Sequence, residues 1–109
     1  MRILITGATG FIGSSLLAAL HKNGHHVVAC VHRTDDVHLP SGTQTLAVDY
    51  MRDLTAAAWL PRLAGVDVVI NAVGILRESA RATFAELHHL APRALFQACE
   101  QGGVRRVIQ

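Results

Sequence analysis

The sequence predicts an α/β domain built on a doubly wound parallel sheet of about five strands, and three observations predict it. Short β-rich apolar runs recur along the 109 residues (RILIT, HVVACVH, QTLAV, VDVVIN and VRRVI). Stretches with helical spacing separate several of these runs. The first run leads directly into glycines at positions 7, 10 and 13 and then into an apolar helix-like stretch. Strands alternating with helices build a parallel sheet covered on both faces, joined by right-handed crossovers.

Arg2 to Thr6 is continuously apolar in its centre, which suits a strand buried on both faces rather than an alternating one. From Phe11 to Asn23 the positions Ile12, Leu16, Ala19 and Leu20 predict a helix with one buried face, stopped by Asn23-Gly24. His26 to His32 reads as a second buried strand and Gln44 to Val48 as a third; between them Pro40, Ser41 and Gly42 leave room for a helical turn. A short helix is expected around Leu54 to Leu63, then a fourth strand from Val66 to Asn71. Ala82 to Gln101 is a long amphipathic pattern ended by Gly102-Gly103, within which Pro92 kinks, breaks or starts a helix. Val104 to Ile108 makes the fifth strand. Such a strand ordinarily has a helix and a further strand after it, so residues 1–109 read as one domain, the N-terminal portion of a longer protein.

Half of the residues are hydrophobic and 17% are charged, the balance of a globular domain. The net charge of +2 comes from scattered side chains, with Arg105-Arg106 as an isolated pair, so no basic stripe points to nucleic acid. No apolar run approaches the roughly 18 residues of a membrane span, and Ile3-Leu4-Ile5 is broken too early for a signal peptide, which makes the expected compartment cytoplasmic. Cys30 and Cys99 lie far apart in apolar contexts and read as two buried thiols. His21 and His25 are four apart, but Gly24 intervenes and no third ligand follows at a fixed spacing, so no metal site is expected.

The chemistry concentrates in the glycine loop. Gly7, Gly10 and Gly13 form G-x-x-G-x-x-G, a variant of the general dinucleotide fingerprint, between a predicted strand and a predicted helix. Helix-opening N–H groups and the positive end of the helix dipole hold pyrophosphate in such a place. Gly7 permits the tight turn, Gly10 lets backbone approach a phosphate, and Gly13 lets helix and strand pack closely. Thr9 offers a hydroxyl; Phe11 and Ile12 offer backbone N–H groups. The plain alternative is a structural turn that happens to be glycine-lined.

Thr6-Gly7-Ala8-Thr9-Gly10-Phe11-Ile12-Gly13 resembles, residue for residue, the TGATGFIG cofactor loop of the short-chain dehydrogenase/reductase superfamily. The likeness is to its extended and atypical members: NAD-dependent epimerases and dehydratases of nucleotide sugars, and relatives of the respiratory complex I 39 kDa subunit. It runs over all 109 residues and implies a Rossmann-like fold and an NAD(P) cofactor. At the end of the second strand an acid favours NAD and a base accommodates the 2′-phosphate of NADP. Here the strand ends in Val31-His32-Arg33, with Asp35 and Asp36 later, so Arg33, helped by His32, favours NADP(H) and leaves NAD(H) as the alternative. An ordinary solvated arginine is the competing reading of Arg33.

Asp49-Tyr50-Met51-Arg52-Asp53 resembles the acidic segment after the family's third strand, where the first aspartate and the next backbone N–H meet the adenine. That implies Asp49 and Tyr50 here, although the family usually has an apolar residue where Tyr50 stands; Asp53 equally suits a helix cap. Asn71-Ala72-Val73-Gly74 resembles the loop after the fourth strand, whose backbone passes the nicotinamide-side ribose and phosphates, and Val73 is the variant found in atypical members. His88 and His89, in the segment resembling the family's fourth helix, receive no chemical role.

The family's usual acid/base pair, Tyr-x-x-x-Lys, is absent: Tyr50 has Leu54 four residues on, and the one lysine is Lys22. No catalytic residue is assigned. The resemblance implies the NAD(P)-binding domain of an extended or atypical oxidoreductase, or of a nucleotide-sugar epimerase/dehydratase. The alternative it carries is a non-catalytic NAD(P)-binding sensor, or a respiratory-complex-associated or assembly protein. The expected partner is the dinucleotide; the small-molecule substrate is not readable, and an apolar edge at the fifth strand leaves a homo-oligomer open.

Overall fold

The computed structural model describes residues 1–32, 39–49, 52–73 and 90–109. Five strands form one sheet: β1 (Arg2–Thr6), β2 (His26–Val31), β3 (Gln44–Ala47), β4 (Val68–Asn71) and β5 (Arg106–Ile108). Their order is β3-β2-β1-β4-β5 and every pairing is parallel. This is the doubly wound, Rossmann-like order in which the chain runs outward from the centre in one direction and then in the other. The helices are α1 (Phe11–Lys22), α2 (Ala56–Trp59), continued by a 3-10 turn over Leu60–Leu63, and α3 (Ala91–Gly102).

Alternation along the central strands feeds two separate layers. Ile3 and Ile5 of β1, Val27, Ala29 and Val31 of β2, and Val68 and Ile70 of β4 point to the face covered by Leu17 and Leu20 of α1. Leu4, Val28, Cys30 and Val69 point the other way, against Trp59, Leu63, Ala94, Leu95, Ala98 and Cys99. Burial on both faces explains why these strands read as continuous apolar runs.

Two expectations shift, and the open reading of Pro92 is settled. The buried face of α1 is not Ile12, Leu16, Ala19 and Leu20: Gly13 and Leu17 are buried with Leu20 half-buried beside them, while Ile12 and Leu16 are exposed. Gly13 has to abut the loop that precedes the helix, and residues at i, i+4 and i+7 from it therefore face the sheet. β3 is an edge strand with mostly exposed side chains rather than a buried one. Pro92 starts a helix, sitting in the first turn of α3, where a missing N–H costs nothing. The earlier part of the long amphipathic pattern, with His88 and His89, lies outside the described residues. Asn23-Gly24 does stop α1: Asn23 N–H donates to Ala19 O at 3.1 Å, and Gly24 takes φ 82°. Both cysteines are free and buried, as read from their contexts.

Candidate functional site

The sheet order places β1 beside β4, with Thr6 opposite Asn71 although 65 positions separate the two in sequence. β1 leads to α1 on one face, and β4 lies where the strand order reverses, so the switch point of the sheet lies at the carboxyl ends of these two strands. Gly7 sits there at φ 67°, a conformation that disfavours any side chain. A Cβ there would lie 2.7 Å from the Ala72 carbonyl carbon and oxygen and 2.8 Å from Val73 N, so the two loops touch backbone to backbone. At Gly13 a Cβ would fall 1.9 Å from Gly7 O, which is why α1 can close onto the loop.

Gly10 differs. Its Cβ would meet only Gly7 O, at 3.3 Å, and otherwise project into open space. Gly10 N–H donates to Gly7 O at 3.1 Å, and the first helical bond runs from Ser14 N–H to Gly10 O at 2.9 Å. The amides of Phe11, Ile12 and Gly13 therefore lie ahead of the helical ladder. No acidic residue stands in the first turn of α1 and no side chain caps it, which leaves the positive dipole end uncompensated. Thr9 and Gly10 are exposed, and Phe11 is 92% exposed. Open space above Gly10, outward amides and an uncompensated positive end fit a pyrophosphate; the loop would supply N–H donors to it.

Asn71 contributes in a way its motif did not reveal. Its side chain is buried: Oδ1 accepts from Thr6 Oγ1 at 2.5 Å, and Nδ2 donates to Gln109 Oε1 at 3.0 Å. Ala72 N–H donates to Thr6 O at 3.2 Å, extending the β1–β4 ladder by one step. Asn71 thus sets the backbone of Ala72 and Val73 against Gly7, and the half-buried Ala72 and Val73 lie at the switch point. Gly74 lies outside the described residues.

Farther along the carboxyl edge, His32 is exposed immediately after β2. Arg33 and Tyr50 lie outside the described residues. Asp49 is half-buried just past β3, and its carbonyl accepts from Arg52 N–H at 3.0 Å and Asp53 N–H at 2.8 Å. Asp53 does not cap α2; Thr55 does, accepting from Ala58 N–H at 3.4 Å. Instead Asp53 Oδ2 accepts from Asp49 N–H at 3.1 Å and pairs with Arg62 Nη1 at 2.8 Å. Arg62 lies over the Trp59 ring at 4.9 Å, and Trp59 Nε1 donates to Asp53 O at 2.9 Å. Neither Trp59 nor Arg62 stood out in the sequence, because nothing in local spacing marks a partner nine residues away.

The thiols are not nucleophiles at neutral pH. Burial pushes Cys30 up to about 12, opposed in part by the nearby Arg62 charge, and burial pushes Cys99 up to about 11. Among the described residues no three His, Cys, Asp or Glu side chains converge as a metal site, and no helix is long and apolar enough to cross a membrane.

Comparison with known proteins agrees with this geometry. The family model described as the NAD dependent epimerase/dehydratase family matches residues 3–109. A 3-diazoavenalumate denitrifying reductase from a Streptomyces species is 32% identical over 114 aligned residues, covering 99% of this chain and 36% of the reductase. The mitochondrial NADH dehydrogenase [ubiquinone] 1 alpha subcomplex subunit 9 of Arabidopsis thaliana is 29% identical, covering 96% of this chain and 27% of the subunit. The crystal structure of the oxidoreductase ylbE from Lactococcus lactis superposes with a TM-score of 0.82 at 27% identity, over 98% of this chain and 46% of that one. The chain spans about a third of the length of the curated relatives it matches first.

Proposed function

The chain belongs to the NAD dependent epimerase/dehydratase family, and on that premise we propose that residues 1–109 are the dinucleotide-binding portion of an oxidoreductase or nucleotide-sugar epimerase/dehydratase. The substrate-binding part lies outside this chain. The observation that carries the reading is the Gly7-Gly10-Gly13 loop at the switch point, closed against the Ala72–Val73 backbone and open above Gly10. Thr9, Gly10, Phe11 and Ile12 hold the pyrophosphate, and Asp49 and the Tyr50 N–H meet the adenine. The backbone of Asn71, Ala72, Val73 and Gly74 borders the nicotinamide half. The bound cofactor supplies hydride transfer; this chain's part is to hold and orient it.

The preferred cofactor is NADP(H). What supports this is the sequence order: His32 and Arg33 follow the second strand, the position that meets the adenosine ribose in this fold, and the acids Asp35 and Asp36 come only later. Isothermal titration with NADPH and NADH tests both levels. Heat with either supports the dinucleotide reading, and none at millimolar concentration overturns it. Arg33→Ala is expected to lower the NADPH:NADH affinity ratio by roughly tenfold, the scale of a lost charged hydrogen bond; an unchanged ratio refutes the preference.

A second reading, a non-catalytic dinucleotide sensor or respiratory-complex-associated protein, draws support from Val73 in the loop after β4 and from the likeness to the Arabidopsis subunit. A Tyr-x-x-x-Lys pair in sequence following Gln109 would favour the enzyme, and its absence there the sensor.

A further inference from the structure

We propose that Arg62 is a positioning residue for adenine recognition, acting through Asp53 on Asp49. The proposal deepens the dinucleotide reading and rests on it. Arg62 and Asp53 each keep only 20% of their side-chain surface exposed, so their 2.8 Å ion pair is largely withdrawn from water. One face of the guanidinium lies over Trp59 while Nη1 meets the carboxylate as an ion pair outside hydrogen-bond geometry. A planar guanidinium stacks on the ring and pairs through its edge, where an ammonium offers only a strongly hydrated point charge.

The oxygen that pairs with Arg62 is the one that accepts the Asp49 N–H, at 3.1 Å. Asp53 is further fixed by its own N–H to Asp49 O at 2.8 Å and by Trp59 Nε1 to its carbonyl at 2.9 Å. A rigid bracket thus runs from the turn after α2 to the exit of β3. Among the described residues the Asp49 carboxylate, 37% exposed, pairs only with the 88% exposed Arg52, at 3.6 Å. The bracket holds the Asp49 peptide and leaves its side chain for a ligand. A carboxylate there accepts from the 6-amino group of adenine and repels the 6-carbonyl of hypoxanthine, and that discrimination depends on placement within about half an ångström.

The test compares NADPH with its hypoxanthine counterpart by isothermal titration. The unsubstituted chain is expected to prefer the adenine form by roughly tenfold, and Asp49→Ala to abolish the preference. Arg62→Met is expected to bring the ratio close to that of Asp49→Ala, with Arg62→Lys intermediate. If Arg62→Met weakens both ligands equally and keeps the ratio, Arg62 merely stabilises the fold and the proposal falls. Asp53→Asn keeps shape but removes the ion pair; it serves where Arg62→Met does not fold, and an unchanged ratio in it also overturns the proposal. A chain that binds both forms alike, or an Asp49→Ala ratio equal to the unsubstituted one, removes the adenine reading of Asp49 and the proposal with it. No binding of NADPH at all instead overturns the dinucleotide reading.

Discussion

A methyl group added at Gly10 would meet one neighbouring atom at 3.3 Å, whereas at Gly13 it would overlap Gly7 O at 1.9 Å. Gly10→Ala is therefore expected to leave the melting temperature nearly unchanged while lowering dinucleotide affinity by roughly tenfold or more. Gly13→Ala is expected to lose binding and stability together, by about 1–3 kcal/mol or beyond, as overpacked sites do. Calorimetry and titration on both variants separate the two roles, and equal melting temperatures would contradict the geometry. These glycines were legible because their work is done by backbone, and their spacing records it directly. The Arg62 and Trp59 half of the bracket around Asp49 was not, since those side chains come from a different turn and carry no pattern of their own. Cys30 gives a second test. Its thiol is pushed up to about 12, so the native state holds the proton more tightly than the unfolded chain, whose thiol titrates near 9. Its contribution to stability is intact below pH 9 and declines as pH rises from 9 towards 12, by about 1.4 kcal/mol per pH unit. Denaturation across that range is expected to show a shallower alkaline loss for Cys30→Ala; equal slopes would place the thiol in contact with water.

Among the elements, α1 shows where sequence patterning reaches its limit. Its extent, from Phe11 to the Asn23-Gly24 stop, followed from spacing and punctuation, but its buried face did not. Ile12, Leu16 and Leu20 form as good an apolar stripe as Gly13, Leu17 and Leu20, and only the contact of Gly13 with the preceding loop chooses between them. Leu17→Ala is expected to cost about 2–5 kcal/mol in urea unfolding, as a buried leucine does. Leu16→Ala, on the exposed side, is expected to stay within about 0.5 kcal/mol. The reverse order would restore the stripe first read from the sequence. β3 was misjudged for a related reason: an apolar run marks a strand, yet whether its flanks are covered depends on where it lands in the sheet, and β3 lands at the edge.

For the molecule as a whole, the parallel sheet was legible from the strand–helix alternation, while the order β3-β2-β1-β4-β5 was not, because it is fixed by long crossovers rather than by neighbouring residues. The same order sets β5 beside β4 at the end of the five strands, with Val107 and Ile108 exposed in residues 1–109. The centre of the sheet has its own consequence. β1 waits through a longer stretch of chain for its second neighbour than β2 or β4 does, since the Arg2 N–H reaches its Asp67 partner across 65 residues. At roughly 5–20 residues per second, a nascent chain carries this strand half-covered for seconds. Leu4 and Ile5, which have no exposed surface in the finished fold, are thus the residues a ribosome-bound chaperone would meet longest.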